Sequence, residues 1–139
     1  MNQLLATTLF AATCLTTGLA GAADLTIQVS DVKSASGNIL IALYNDEGTF
    51  LKMPAKVGGA AASTSGWSIV LKDLPAGEYA YVVFHDANSN GKMDKNLIGI
   101  PTEDYAFSNN ALGKMGPPSY ASAKFVLPAA GSTTIVSLK

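Results

Sequence analysis

The sequence predicts an all-β domain, an antiparallel β-sandwich of immunoglobulin-like or transthyretin-like architecture with one long irregular loop. Three observations point there. Short apolar runs with period-two alternation recur along the chain, turn residues separate them, and no amphipathic helix pattern appears.

The first segment reads as an export signal. Leu4 to Leu19 is rich in Ala, Leu and Thr, and Ala20-Gly21-Ala22-Ala23 supplies the small residues that signal peptidase accepts, so cleavage is expected after Ala22 or Ala23. Five Thr between positions 7 and 17 and the lack of a basic flank argue against a permanent anchor. Residues 1–23 are thus expected to be removed, leaving 24–139 as a single β-sandwich domain, periplasmic or secreted, with no stable membrane insertion. Cys14 falls inside the signal, so the mature chain is expected to carry no thiol or disulfide.

Leu25-Thr26-Ile27-Gln28-Val29 alternates as a half-buried strand does, and Val32 to Gly37 reads as a turn. Asn38 to Tyr44 is apolar on both faces, with Ile39, Ile41 and Leu43 on one and Leu40, Ala42 and Tyr44 on the other. Something must cover that second face. Thr49 to Ala62 gives only a loop or weak edge strand. Trp67 to Leu71 alternates again and places Trp67 in the core; Lys72 to Glu78 is turn chemistry. Tyr79 to His85 is a strand with Ala80, Val82 and Phe84 on one side and Tyr79, Tyr81, Val83 and His85 on the other. Asp86 to Ser122 has no sustained periodicity and reads as one irregular insertion, a length that in ordered domains usually carries function. Lys124 to Leu127 and Thr133 to Leu138 close the chain as strands.

Composition excludes several functions. Charged residues are 14% of the chain, the net charge is −1, and all nine basic residues are Lys, so no polybasic patch exists for nucleic acid or an anionic membrane surface. Arg-based catalysis is absent. His85 is the only histidine, which rules out a multi-histidine zinc site within one chain and leaves a Ser-His-Asp system only that residue.

One run has metal-loop spacing. Asp86-Ala87-Asn88-Ser89-Asn90-Gly91-Lys92-Met93-Asp94 follows D-x-[DN]-x-[DN]-G, in which alternate side chains offer oxygens and Gly91 permits the sharp turn. The candidate calcium ligands are Asp86, Asn88, Asn90, the Lys92 carbonyl and Asp94. It is not an EF-hand, because the twelfth position is Leu97 and no helices flank it. A further carboxylate would have to come from Glu103, Asp104, Asp46 or Glu47, and the low ligand charge predicts weak binding, on the order of 10⁻⁴–10⁻³ M. The alternative is an Asx-rich turn whose side chains bond their own backbone. His85 abuts this loop, and without a nucleophile motif it reads as a partly buried ring bonded to a loop carbonyl. Tyr105, Phe107 and Tyr120 either line a ligand groove or cap the outer face of the central strands, the simpler account.

His85 to Asp94, Gly99-Ile100-Pro101-Thr102-Glu103, Phe107-Ser108-Asn109-Asn110 and Gly116-Pro117-Pro118 together resemble bacterial secreted proteins of domain of unknown function family 2141. The likeness spans nearly the whole mature chain, departing at Asp104 and Ala106, where the family favours Gly nearby. The resemblance implies an exported β-sandwich with 85–118 as one unit folded over the sheet, and it carries no established activity.

The leading expectation is an exported non-enzymatic binding or accessory module for an unknown protein or small molecule, its loop stabilised by weakly held calcium. A second is a purely structural or assembly protein without metal. A third is a minor hydrolase using His85 with Asp86 or Glu103 as acid and base.

Overall fold

Two stacked sheets account for the alternating runs. The computed structural model describes residues 21–139; the body of the expected signal, residues 1–20, lies outside the described residues. The strands are β1 (Ala22–Ser30), β2 (Asn38–Tyr44), β3 (Lys56–Ala61), β4 (Trp67–Pro75), β5 (Gly77–Asp86), β6 (Tyr105–Phe107), β7 (Phe125–Leu127) and β8 (Ser132–Ser137). A tight turn at Ser108–Asn110 and the one-turn helix α1 (Tyr120–Ala123) lie between β6 and β7.

The first sheet has the order β4-β1-β8, and the second runs β3-β2-β5-β6, with β7 pairing β5 beyond the end of β6. The expectation of a purely antiparallel sandwich needs one correction: β1 and β8 run parallel, Leu25 opposite Ser132 through Ser30 opposite Ser137. Alternation alone reports which residues face inward and is blind to strand direction. Trp67–Leu71 also proves too short a strand. Ala22 and Ala23, at the expected cleavage site, pair with Pro75 and Leu74, and this ladder draws Lys72–Pro75 out of the expected turn into β4. The weak segment before Ala62 forms an edge strand, β3, paired along β2.

Inside the sandwich, Leu25, Ile27 and Val29 of β1 meet Ile39, Ile41 and Leu43 of β2, Tyr79, Tyr81 and Val83 of β5, Trp67 and Leu71 of β4, and Val136. The first sheet turns Thr26, Gln28, Ser68 and Val70 away from this core, and one buried face is enough for it. The second sheet is covered twice. On its outer side Tyr44, Ala80 and Val82 pack beneath Phe107, Tyr120 and Ala123, with Phe50 joining at ring-centroid distances of 5.3 Å from Tyr44 and 5.5 Å from Tyr120. The aromatics are therefore core cover, and the cover comes from the chain between 86 and 123, which is not wholly irregular. Its second half contains β6, which pairs Tyr105–Phe107 with Val82–Phe84, and α1, which Ser119 caps by accepting from the Ser122 N–H.

Candidate functional site

At the end of β5 two neighbouring polar side chains part company. Consecutive residues of a strand face opposite sides of the sheet. His85, 5% exposed, sits on the sandwich side, and its Nε2 lies 2.7 Å from the Ser36 carbonyl oxygen. That partner belongs to the β1–β2 turn, so the expected bond to a carbonyl of the long loop is corrected: the strand's parity turns the ring away from that loop. Asp86, 1% exposed, sits on the other side beneath the loop it begins.

Asp86 organises that loop through both oxygens. Oδ1 accepts the Asn90 N–H at 3.0 Å and Oδ2 the Gly91 N–H at 2.8 Å. Asn88 Oδ1 accepts the same Asn90 N–H at 3.1 Å, and Asn90 Oδ1 accepts the Lys92 N–H at 2.9 Å. The backbone thus curls round a row of side-chain oxygens at alternate positions, with Gly91 at φ +75° where the turn is sharpest. Asp94 closes the row, its two oxygens accepting the Asn88 and Asn90 side-chain amides.

Of the four carboxylates offered as an outside donor, the fold delivers Glu103. Its Oε1 accepts the Ala87 N–H at 3.2 Å and its Oε2 the Asp94 N–H at 3.0 Å, so one side chain clamps the first and last parts of the loop. A small hairpin brings it back: Lys95 bridges Pro101, and Thr102 N–H donates to the Asp94 carbonyl at 2.9 Å. Asp104 is used elsewhere, in an ion pair of 2.9 Å with Lys33, and the Asp46 carboxylate accepts the Gly48 N–H within its own turn.

The β1–β2 turn backs onto the same loop. Gly37 has φ +68°, and a Cβ there would come within 2.0 Å of the Asp86 carbonyl oxygen, so the approach requires glycine. Asn38 Nδ2 then donates to Ser89 Oγ at 3.2 Å. Asn38 was missed in the sequence because it carries no pattern beyond opening a strand. At Asp104 and Ala106 φ is not positive, so the local backbone makes no demand for glycine.

The donor set is all oxygen: three carboxylates, two amides and a carbonyl, the ligand chemistry of a hard cation such as calcium. Among the described residues, no three His, Cys, Asp or Glu side chains gather as a metal-holding group, so Asp86, Asp94 and Glu103 would have to close in on an ion, with Asn and backbone oxygens completing its shell. The Asn88 and Asn90 amides now face Asp94 and would have to turn their oxygens inward. No hydrogen bond joins His85 to Asp86 or Glu103; each is committed to a different backbone partner.

Two sheets with a carboxylate-clamped, Asx-rich loop over one end of the five-stranded sheet define an all-β domain. The chain belongs to the family described as Uncharacterized protein conserved in bacteria (DUF2141), whose model matches residues 27–136. No curated protein and no solved structure matches it.

Proposed function

We propose that the protein is an exported, non-enzymatic binding or accessory module whose 86–94 loop is closed by a calcium ion held by Asp86, Asn88, Asn90, the Lys92 carbonyl, Asp94 and Glu103. The observation that carries the reading is the Glu103 clamp. A carboxylate from outside the spaced run is what the sequence spacing lacked, and Glu103 reaches both ends of the run. The burial of Asp86 adds to it, because a carboxylate taken out of water is stabilised by a cation as well as by N–H donors. The non-enzymatic part is supported by His85, the chain's one imidazole, being buried and committed to a backbone carbonyl.

A second reading, a structural or assembly protein without metal, has its own observation. The Asn88 and Asn90 side-chain amides already donate to both oxygens of Asp94, closing the loop with hydrogen bonds.

Thermal unfolding in EDTA and across a calcium titration separates the two. A ligand that binds only the native state stabilises by about 1.4 kcal/mol at ten times Kd, which moves the midpoint by several degrees in a domain of this size. The calcium-closed loop predicts such a rise, saturating in the millimolar range and abolished by Asp86→Ala. A midpoint indifferent to calcium up to tens of millimolar, with Asp86→Ala equally destabilising in EDTA and calcium, would leave the metal-free reading.

A further inference from the structure

The row of oxygens from Asp86 to Asp94 contains the chain's one Asn-Gly pair, Asn90-Gly91. Every other Asn is followed by a residue whose side chain shields its own backbone nitrogen; here that nitrogen belongs to glycine. Both residues are exposed, and a Cβ built on Gly91 would meet nothing within 4 Å, so no neighbouring atom crowds the peptide between them. Asparagine is a chemically labile side chain, and this is the sequence in which the next backbone nitrogen reaches it most easily.

The reaction needs only water. The Gly91 nitrogen, having lost its proton to solvent, bonds to Cγ of Asn90; the Cγ–Nδ2 bond breaks, and Nδ2 leaves as ammonia with a proton taken from water. Water then opens the five-membered imide and the Gly91 nitrogen regains its proton. Addition at Cγ leaves an aspartate at position 90, and addition at the Asn90 main-chain carbonyl leaves an isoaspartate. An amide and water become an acid and ammonia, with nothing oxidised or reduced.

In the folded loop each group of that reaction is held. The nucleophile's N–H donates to Asp86 Oδ2 at 2.8 Å, and losing its proton there would set an anion against a buried carboxylate. The carboxamide is anchored at both ends: Asn90 Oδ1 accepts the Lys92 N–H at 2.9 Å, and Nδ2, the leaving nitrogen, donates to Asp94 Oδ1 at 2.8 Å. Reaction therefore waits on local opening of the loop.

We propose that Asn90 is a site of hydrolytic deamidation gated by Asp86, and that its aspartate product changes the loop from one closed by hydrogen bonds to one closed by a cation. The aspartate keeps the alternate spacing but sets a carboxylate against Asp94 where an N–H donor stood. Two like charges there repel, and a hard cation between them removes the repulsion and gains a charged ligand. The isoaspartate lengthens the main chain and breaks the spacing. The gated modification stands on the hydrogen bonds alone; the change in closure rests on the calcium reading.

The test incubates the purified protein at mildly alkaline pH in EDTA, folded or unfolded in urea, and follows the peptide containing residue 90 by mass spectrometry. In urea Asn90 should deamidate before any other Asn, and in the folded protein roughly tenfold more slowly or less. Asp86→Asn, which keeps the volume and one acceptor but removes the charge, should recover most of the difference. Because that variant could unfold, amide hydrogen exchange at Gly91 in the unmodified chain supplies the opening frequency, which the deamidation rate should track as calcium is added. Another Asn reacting first in urea, a folded protein that reacts as fast as the unfolded one, or a rate independent of Gly91 exchange would each overturn the gated site. Asn90→Asp reads the product: its thermal midpoint should lie below that of the unmodified protein in EDTA and rise further in calcium. An equal midpoint in EDTA would overturn the change in closure. A lower one that calcium does not raise would overturn the calcium reading with it, while the urea comparison still decides the modification.

Discussion

The connection between β5 and β7 is held down in two different ways along its length. From Asp86 to Asp104 it is fixed chiefly by side-chain oxygens accepting backbone N–H groups, with Met93 packed against the outer cluster and Leu97, Ile98 and Ile100 exposed. From Tyr105 to Ala123 it is fixed by burial: Phe107, Tyr120 and Ala123 cover the outer face of β2 and β5, and Ser108, fully buried, pins the cover to the sheet. The Ser108 hydroxyl donates to the Ala123 carbonyl at 2.6 Å and accepts the Tyr81 N–H at 3.0 Å. The second half completes the fold, because without it an apolar sheet face would lie in water. The first half is anchored at one end by a buried carboxylate and elsewhere by groups that water can compete for, so its order can be conditional on an ion. A fold can therefore carry an obligate and a conditional segment in one loop, and chemistry separates them more clearly than sequence position does.

The sharpest way to break that contrast is Phe107→Ala. Removing the ring from between Phe50 and Tyr105 should cost about 3–5 kcal/mol, measured by chemical denaturation, and the loss should be the same in EDTA and in calcium. Equal destabilisation by calcium removal alone would erase the distinction. Ser108→Ala should follow at about 1–3 kcal/mol, since it strands the Tyr81 N–H and the Ala123 carbonyl in a buried place.

Alkaline titration tests the buried side differently. Burial pushes the Tyr81 hydroxyl up to about 12, against a hydrogen bond with Thr134 that works the other way. A group whose folded pKa is raised holds its proton in the native state after the unfolded chain has lost it. Stability should therefore be intact below pH ~10 and fall between about 10 and 12, at no more than about 1.4 kcal/mol per pH unit from this one group. Tyr81→Phe should flatten that decline in a pH series of unfolding curves; an unchanged slope would assign it to Tyr44, Tyr79 and Tyr120, also raised by burial. The smallest effect belongs to the polar half. Glu103→Gln should cost under about 1 kcal/mol in EDTA, because the side chain is half-buried and its amide oxygen still accepts one N–H. The same substitution should remove most of the calcium-dependent rise in midpoint.

Much of the fold was legible in the residues. The period-two parity of Tyr79 to His85 set Tyr81 and Val83 on the face opposite Ala80 and Val82, as they lie, and the double apolar face of β2 demanded the cover that Phe107 and Tyr120 supply. What escaped was relational. The parallel pairing of β8 with β1 leaves no trace in alternation, and β6 is three residues long, too short to show a period. Ser108 belongs to one of the motifs that carry the family resemblance, but nothing in its residue type showed that its buried hydroxyl ties β5 to α1. Within the loop, spacing displayed the row of oxygens from Asp86 to Asp94. It could not choose Glu103 over Asp104, because that choice depends on the Lys95–Pro101 hairpin and on Lys33 reaching across from the β1–β2 turn. His85 and Asp86 show the opposite failure, adjacency in sequence suggesting a pair that strand geometry separates.

A calcium titration followed residue by residue in the amide NMR spectrum compares the two halves in one experiment. The amides of Asn90, Gly91, Lys92 and Asp94, whose acceptors are the proposed ligands, should shift together along one saturating curve with a Kd on the order of 10⁻⁴–10⁻³ M, while those of Tyr81, Ala106 and Ser108 stay still. Shifts absent from the 86–94 loop, or scattered over acidic surface residues without saturation, would contradict the calcium-closed loop and leave its hydrogen bonds as the whole of its architecture.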